Sequence, residues 1–399
     1  MILTNCASCA APLAHDAPRC VRCKTRYCNS TCQHDHWRRG HKQICKKIHR
    51  GGNAEQYYAD KKCKEAVAVA VEKCADDTKG QTCYICTEAL HWETKEGLVR
   101  GCACRGTAGF AHVSCLAEQA KVLLAEAEDN NLDDKATDEW NRWSICSLCE
   151  QRYHGFVFCA LGWECWKTYV GREERDKHRC AAMEALANSL TAAIQHKDSL
   201  IVREAQLSIL RRLGASEETM IVAKGNLAFT YQVLGRTEAL QMRQETYAGK
   251  LKFFGGEHES TFLEANNYAA LLLNLKRFEE ARSLLRRTMP AARRVLGDSH
   301  DLMLKIRWIY SEALYKDDDA TLDDLREAVT TLKDLKQIAR RMLGNSTRPQ
   351  KEFRPTCETH ERRSTPAKRR RAVRKKVTLN SATIQSTPAK KRRRAVRKK

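Results

Sequence analysis

The sequence predicts a mainly α, multidomain chain in which two small metal-braced modules precede an α-solenoid of helix pairs and a disordered basic tail. Three observations carry this reading. Cysteines recur at Cys-x2-Cys spacing through the first 150 residues. From about 156 to 345 glycine and proline are sparse, and apolar residues recur three and four apart, the period of an amphipathic helix. Past Gly344 the composition turns abruptly to Lys and Arg. At 399 residues the chain is too long for one ordinary core, and an apolar fraction of 42% is enough to fold one or more.

The chain holds 20 cysteines. In a secreted protein these would suggest a disulfide framework. The first ten residues, "MILTNCASCA", lack the charged and apolar regions of a secretory signal, so the expectation is a soluble chain of the nucleus or cytoplasm. No apolar run approaches the ~20 residues of a membrane helix. The best candidate, "FVFCALGW" at 156–163, is short and ends against Glu164. Metal ligation is then the better use of paired cysteines.

In residues 1–50 the ligand candidates are Cys6, Cys9, Cys20, Cys23, Cys28, Cys32, His41 and Cys45, in the order C-x2-C-x10-C-x2-C-x4-C-x3-C-x8-H-x3-C. A Cys-x2-Cys knuckle turns both sulfurs toward one cation, and ligands three or four apart on a helix share a face. Eight ligands suffice for two tetrahedral structural zinc sites with no position left for a reacting water. Some fifty residues cannot build a sufficient apolar core, so metal must supply folding free energy, on the order of 10–16 kcal/mol per site. Residues 6–45, with "YC" at 27–28, "CQ" at 32–33, Trp37 and "HK" at 41–42, resemble the MYND zinc finger. The resemblance implies interleaved sites, Cys6, Cys9, Cys28 and Cys32 for one zinc and Cys20, Cys23, His41 and Cys45 for the other. His34 and His36 are spare, with His36 the alternative to His41. MYND fingers are similar to adaptors for short, proline-containing peptides, which makes Gln33 and Trp37 the expected partner-binding positions.

Residues 51–80 read as a linker with one helix, in which Cys63 and Cys74 are ordinary helical residues. The second module, 81–155, has the order C-x2-C-x15-C-x-C-x7-H-x2-C-x30-C-x2-C. Its "CxCRG…H..CL" core resembles the RING-CH (RING-variant) finger. That resemblance assigns Cys83, Cys86, His112 and Cys115 to one zinc and Cys102, Cys104, Cys146 and Cys149 to the other, for about four zinc ions in the chain. A PHD finger shares the ligand order, and Trp143, three residues before Cys146, keeps that reading open. The short Cys102-x-Cys104 gap favours RING-CH. By resemblance a ubiquitin-conjugating enzyme would dock on apolar residues of the zinc loops, here Ile85. The pattern also departs from the family. Gln119 stands where RING-CH fingers often carry tryptophan, Glu150 follows the last ligand where active RINGs often carry a cation, and an acidic insert, "AEAEDNNLDDKATDEW", fills the gap before Cys146.

Over 156–345 "RRLG", "KFFG", "RVLG" and "RMLG" end at Gly214, Gly255, Gly297 and Gly344, 41, 42 and 47 residues apart. Each unit reads helix, turn, helix, with glycine closing the second helix. A helix pair cannot bury its apolar face alone, so units stack. "GNLAFTYQVLGRTEAL" (225–240) aligns with "NNYAALLLNLKRFEEA" (266–281), and with the "LGxxH" ends these resemble kinesin-light-chain tetratricopeptide repeats over about 181–344. Such solenoids present a groove to peptides or partner proteins. Trp163, Trp166 and Tyr169 read as packing between the zinc module and the first helix pair.

In the tail, 346–399, "STPAKRRRAVRKK" (364–376) returns as "STPAKKRRRAVRKK" (386–399). Residues 361–399 carry 17 Lys and Arg against one acid, so +16 of the chain's net +22 resides there and the folded part is only mildly basic. Dense like charge without apolar residues predicts disorder. The duplicated clusters resemble nuclear import signals, Thr365 and Thr387 resemble proline-directed phosphorylation sites, and the tail would make nonspecific nucleic-acid contacts.

The expectation is therefore a zinc-binding multidomain interaction protein: two small cross-braced zinc modules, a helical-repeat scaffold and a basic tail, with no covalent catalytic residue. Its function would be that of a RING-type ubiquitin ligase whose MYND finger and repeats choose partners, or of a non-enzymatic adaptor.

Overall fold

The computed structural model describes residues 5–343 apart from 12 and 14–16. The two tail motifs, with Thr365 and Thr387, lie outside the described residues, as does Cys357. The described residues form fourteen α-helices and no β-strand; three isolated antiparallel bridges, Arg19–Arg26, Val99–Ala111 and Ile145–Arg152, are the nearest approach to a sheet. The chain divides after Arg236 into two compact units.

The first unit opens with α1 (Ser30–His36), a π-turn over Trp37–His41 and α2 (Lys42–Arg50). Asn29 caps α1 by accepting from the Cys32 amide at 2.9 Å. Gly40, at φ +128°, supplies the bend between the two helices. Asn53 caps α3 (Ala54–Cys74) in the same way, its side chain accepting from the Gln56 amide at 3.0 Å. The second module contributes α4 (Val113–Asp129), α5 (Asp133–Trp140) and a 3-10 turn over Asn141–Trp143.

At the centre of this unit is α6 (Gly155–Tyr169), which packs against α3, α4 and the following α7 (Lys177–Ala192). Surrounded on all sides, it buries eleven of its fifteen residues, Trp163, Trp166 and Tyr169 among them. The expected packing role of these aromatics is their observed environment. Close approach at the α6–α7 crossing depends on Gly162: a Cβ there would lie 1.9 Å from the Ser189 hydroxyl. Cys63 of α3, expected to be an ordinary helical residue, is buried and donates its thiol to buried Glu164 of α6 at 2.9 Å, while Lys167 closes on the same carboxylate at 2.6 Å. Burial and the adjacent carboxylate push the Cys63 thiol far up, so it is a structural donor rather than a nucleophile. The unit ends with α8 (His196–Leu213) and α9 (Glu217–Val233), and Gly214, at φ +66°, closes α8.

The second unit holds α10 (Glu238–Phe254), α11 (Glu259–Asn274), α12 (Phe278–Leu296), α13 (Asp301–Lys316) and α14 (Leu322–Leu343). Successive helices pack in a repeat-like array, and α11 also packs on α13. Its core is a continuous apolar cluster that includes Phe262, Ala269, Leu272, Leu285, Ile306 and Leu332. The "LGxxH" signature gains a physical meaning here. Gly255 and Gly297, at φ +83° and +77°, end α10 and α12, and the histidines three residues on cap the next helices: His258 accepts from Ser260 and His300 from Leu302, at 3.1 and 3.2 Å. The motif is a stop signal and a start signal fused into one corner.

No helix among the described residues is long and apolar enough to cross a membrane.

Candidate metal centres

Each module begins from the same local structure. Starting at Cys6, Cys20, Cys83 and Cys146, the amide of residue i donates to the carbonyl of i+5 at 2.7–3.0 Å and the amide of i+4 donates back to the carbonyl of i at 2.8–2.9 Å. Closing so tight a loop drives residue i+4 into the left-handed region: Ala10, Lys24, Thr87 and Glu150 have φ of +61°, +61°, +65° and +51°. Glu150, marked in the sequence for its charge, is thus also a conformational position. Inside the loop, amides turn onto the first sulfur, as Ser8 does onto Cys6 and Ile85 onto Cys83, both at 3.4 Å. A ring of amides stabilises a thiolate and prepares it for a cation.

The knuckles bring the sixteen predicted ligands into four tetrads: Cys6, Cys9, Cys28 and Cys32; Cys20, Cys23, His41 and Cys45; Cys83, Cys86, His112 and Cys115; Cys102, Cys104, Cys146 and Cys149. Within each, all four ligand atoms lie within 4.8 Å of one another. Zn–S bonds of about 2.3 Å put tetrahedral sulfurs about 3.8 Å apart. Cys20–Cys45 at 3.8 Å, Cys104–Cys146 at 3.9 Å and Cys9–Cys28 at 3.5 Å fit that edge. The imidazoles fit too, with His41 Nε2 3.3 Å from Cys23 Sγ and His112 Nδ1 3.4 and 3.5 Å from Cys86 and Cys115. The other nitrogen of His112 faces the Ala89 carbonyl at 3.4 Å, the outer contact that orients a ligating imidazole. His36 stands outside the tetrad: its Nδ1 meets the Tyr27 hydroxyl at 3.0 Å while its ring stacks on His41, centroids 4.8 Å apart.

The electrostatics of the thiols also call for a cation. The neighbouring Cys102 thiol brings Cys146 down to about 4, and Cys102 itself is driven up. In the first tetrad burial pushes Cys6 up, but amide donors from Cys9, Cys28 and Ser8 outweigh it and bring the thiol to about 6. Cys28, bonded to Cys9, goes up to about 12. Proton sharing of this kind lets a cluster hold little negative charge on its own; Zn²⁺ removes the conflict by ionising the thiols together. No tetrad leaves a protein-free coordination position, so the ions are structural.

A fifth loop has the same backbone without the cysteines, and the sequence pattern gave no warning of it. His91 donates to the Glu96 carbonyl at 3.0 Å, Lys95 donates back to the His91 carbonyl at 3.0 Å, and Lys95 has φ +58°. Thr94 fills the second ligand position. Where a thiolate would collect amides, His91 Nδ1 does so, accepting from Glu93 at 3.3 Å and Thr94 at 3.1 Å. The buried His91 ring packs edge-on against ligating His112 and stacks on Trp92.

The expected partner-binding residues are accessible. Ile85 is 37% and Trp37 39% exposed, while Gln33 is half-buried on α1. Sequence reasoning missed Leu148, 51% exposed, which holds in Cys146–Cys149 the place Ile85 holds in Cys83–Cys86. The two knuckles are neighbours: the Tyr84 and Ser147 hydroxyls lie 3.2 Å apart, and both donate to Gln119 Oε1 at 3.4 Å. Gln119 therefore joins the knuckles through polar bonds at the position where the related fingers often carry tryptophan. Trp143 is buried and packs edge-on against Tyr169.

Comparison with known families agrees with this geometry. The MYND finger signature matches residues 6–45, the RING-variant domain 83–149, and a tetratricopeptide repeat 265–301. The chain thus carries two zinc-binding fingers and helical repeats, and the RING-variant match replaces the PHD alternative. Among curated proteins, 42 residues are 52% identical to Ubiquitin C-terminal hydrolase 15 of Oryza sativa subsp. japonica, 10% of this chain and 4% of that protein. A further match covers 54 residues at 44% identity to Ubiquitin carboxyl-terminal hydrolase 17 of Arabidopsis thaliana, 13% of this chain and 7% of that one. The chain therefore spans less than a tenth of the length of these relatives. Among solved structures, a Podosopora anserina kinesin light chain with nearly identical TPR-like repeats has TM-score 0.39 and 19% identity, covering 58% of this chain and 97% of its own. BtubC (BKLC) from P. vanneervenii has TM-score 0.40 and 14% identity, covering 77% and 98%.

Proposed function

We propose that this zinc-binding interaction protein acts as a RING-type ubiquitin ligase. In this reading the RING-variant domain holds a ubiquitin-conjugating enzyme, and the MYND finger and helical repeats select the protein to be modified. The observation that carries it is the pair Ile85 and Leu148, two exposed aliphatic side chains at matching positions of adjacent zinc knuckles. A rigid, metal-set pair of this kind suits a docking surface. Such a ligase contributes positioning: it orients a thioester for attack by a lysine and restricts unproductive geometries. No side chain of the chain is required to form a covalent bond.

The test is chain formation by the zinc-loaded protein with a panel of charged conjugating enzymes. Polyubiquitin is expected with at least one of them, and Ile85→Ala and Leu148→Ala are expected to abolish it with zinc content unchanged. Equal activity of both variants, or silence of the wild type across the panel, would sink the ligase reading. Glu150 favours the second reading, a non-enzymatic adaptor: it puts a negative charge at the left-handed position after the last ligand, where active RINGs often place a cation. Glu150→Arg discriminates, since a rise in chain formation is expected only of a working ligase.

The basic tail is proposed to direct the chain to the nucleus, under control of phosphate at Thr365 and Thr387, and to contact nucleic acid nonspecifically. Deletion of 361–399 with microscopy of a tagged chain tests the first; a salt titration of DNA binding tests the second.

A further inference from the structure

The MYND finger, the start of α3 and the α6–α7 connection enclose a cavity of about 400 Å³ within the first unit. Its finger-side wall is made by Arg19, Lys24 and Arg26. Each is placed there by the knuckle at Cys20. Arg19 and Arg26 form an antiparallel bridge, which sets two cationic side chains directly opposite one another, and Lys24 occupies the left-handed turn between them. Like charges facing across a bridge are destabilising unless something of opposite sign joins them. Facing this wall, buried Arg179 anchors the α6–α7 connection through the Val170 and Arg172 carbonyls. The positive end of the 21-residue α3 also opens here, through its cap Asn53.

The acids in the cavity do not neutralise this wall. Glu55 is held by Arg179 at 3.1 Å and Glu174 by Arg212. Glu173 is the remaining carboxylate of the lining and is exposed. Among the described residues Arg19 and Lys24 show no side-chain partner of their own.

We infer that this cavity receives one phosphate group carried on a partner peptide, with Arg19, Lys24 and Arg26 as its ligands. Guanidinium groups bind phosphate oxygens in pairs and are the side chains that suit such a site. The size is right for a phosphorylated side chain and a few flanking atoms. A nucleic-acid backbone suits it less well: the cations sit in a closed hollow rather than along an open face, and Glu55, Glu173 and Glu174 would repel a polyanion. The site lies on the back of the finger's second knuckle, does not involve Gln33 or Trp37, and stands whether or not the chain is a ligase.

The experiment uses the full-length, zinc-loaded protein and an immobilised library of phosphoserine and phosphothreonine peptides, with unphosphorylated copies as control. Phosphopeptides are expected to be retained and their copies lost, with inorganic phosphate competing and affinity falling as salt rises. Arg19→Ala combined with Lys24→Ala is expected to weaken a selected phosphopeptide at least about tenfold. Zinc content and helical signal report that the variant is folded, and Arg19→Lys, which keeps the charge, is expected to restore part of the affinity. The proposal is overturned if no phosphopeptide is retained, if inorganic phosphate binds but phosphopeptides do not, if the folded double variant binds as well as wild type, or if a single-stranded oligonucleotide binds these residues more tightly than any phosphopeptide.

Discussion

Residues 83–88 and 91–96 trace the same loop, with one residue in each at positive φ and the same pair of backbone hydrogen bonds. One begins with Cys83 and belongs to a zinc tetrad; the other begins with His91 and belongs to none. The knuckle is therefore a backbone structure first and a metal site second. What it requires locally is an acceptor at position i to collect the amides of the turn. A thiolate does this and has capacity left for a cation. A neutral imidazole does it with the one nitrogen that accepts, so the loop closes on itself.

The same contrast holds at larger scale. The first unit carries all four tetrads, together with a buried Cys63–Glu164–Lys167 group, whereas the second is held by an apolar core. The sharpest test of the comparison is metal loss. Cys83→Ser should lower zinc from about four to three ions per chain and unfold the RING-variant module, on the order of 10–16 kcal/mol being lost with the site. Mass spectrometry under native conditions reads the stoichiometry. A strong chelator should remove hydrogen-exchange protection from residues 83–149 and leave that of α11–α14 in place; loss of both together would break the comparison.

Leu285→Ala asks the converse question in the second unit. It should cost about 2–5 kcal/mol with zinc unchanged, seen as a lower denaturant midpoint for that unit. Gly162→Ala places a methyl group where the Ser189 hydroxyl lies, and overpacking there should cost about 1–3 kcal/mol, read in the thermal transition of the first unit.

His91→Ala strips the accepting nitrogen from two turn amides. A loss of about 1–3 kcal/mol is expected, with zinc stoichiometry unchanged. A fall in zinc content would mean that His91 takes part in ligation. The smallest effects belong to the left-handed position. Thr87→Gly and Lys95→Gly remove the clash of a side chain at positive φ, and each should stabilise its loop by no more than about 1 kcal/mol, because glycine also loosens the unfolded chain. Equal gains in the two loops would show that the turn has the same strain with and without metal.

Much of this was legible in the residues. Ligand identity follows from spacing, because Cys-x2-Cys and short helical intervals are local geometry. The interleaving of the ligands was not local; it entered by resemblance to known fingers, and the fold brings the same residues together. Helix pairs were legible from period and from the glycines that end them. His258 and His300 were visible as repeat markers, while their capping role needed the position of the next helix. Leu148 was readable in principle, since it repeats the place of Ile85, but only the adjacency of the two knuckles makes the pair a surface. His91 was not readable, because a turn closed by imidazole has no cysteine to mark it.

By itself the sequence determined which side chains bind metal, where helices begin and end, and where charge accumulates. Each of these depends on neighbours a few residues apart, within reach of one turn of backbone. The tertiary structure decided what lies across from what: Arg19 beside Arg26 in a cavity closed by α3 and the α6–α7 connection, Gly162 against Ser189, and Gln119 between two zinc knuckles. Such contacts join residues tens of positions apart, and their energies come from desolvation and packing, which take a value only when the chain has folded and the partners have met.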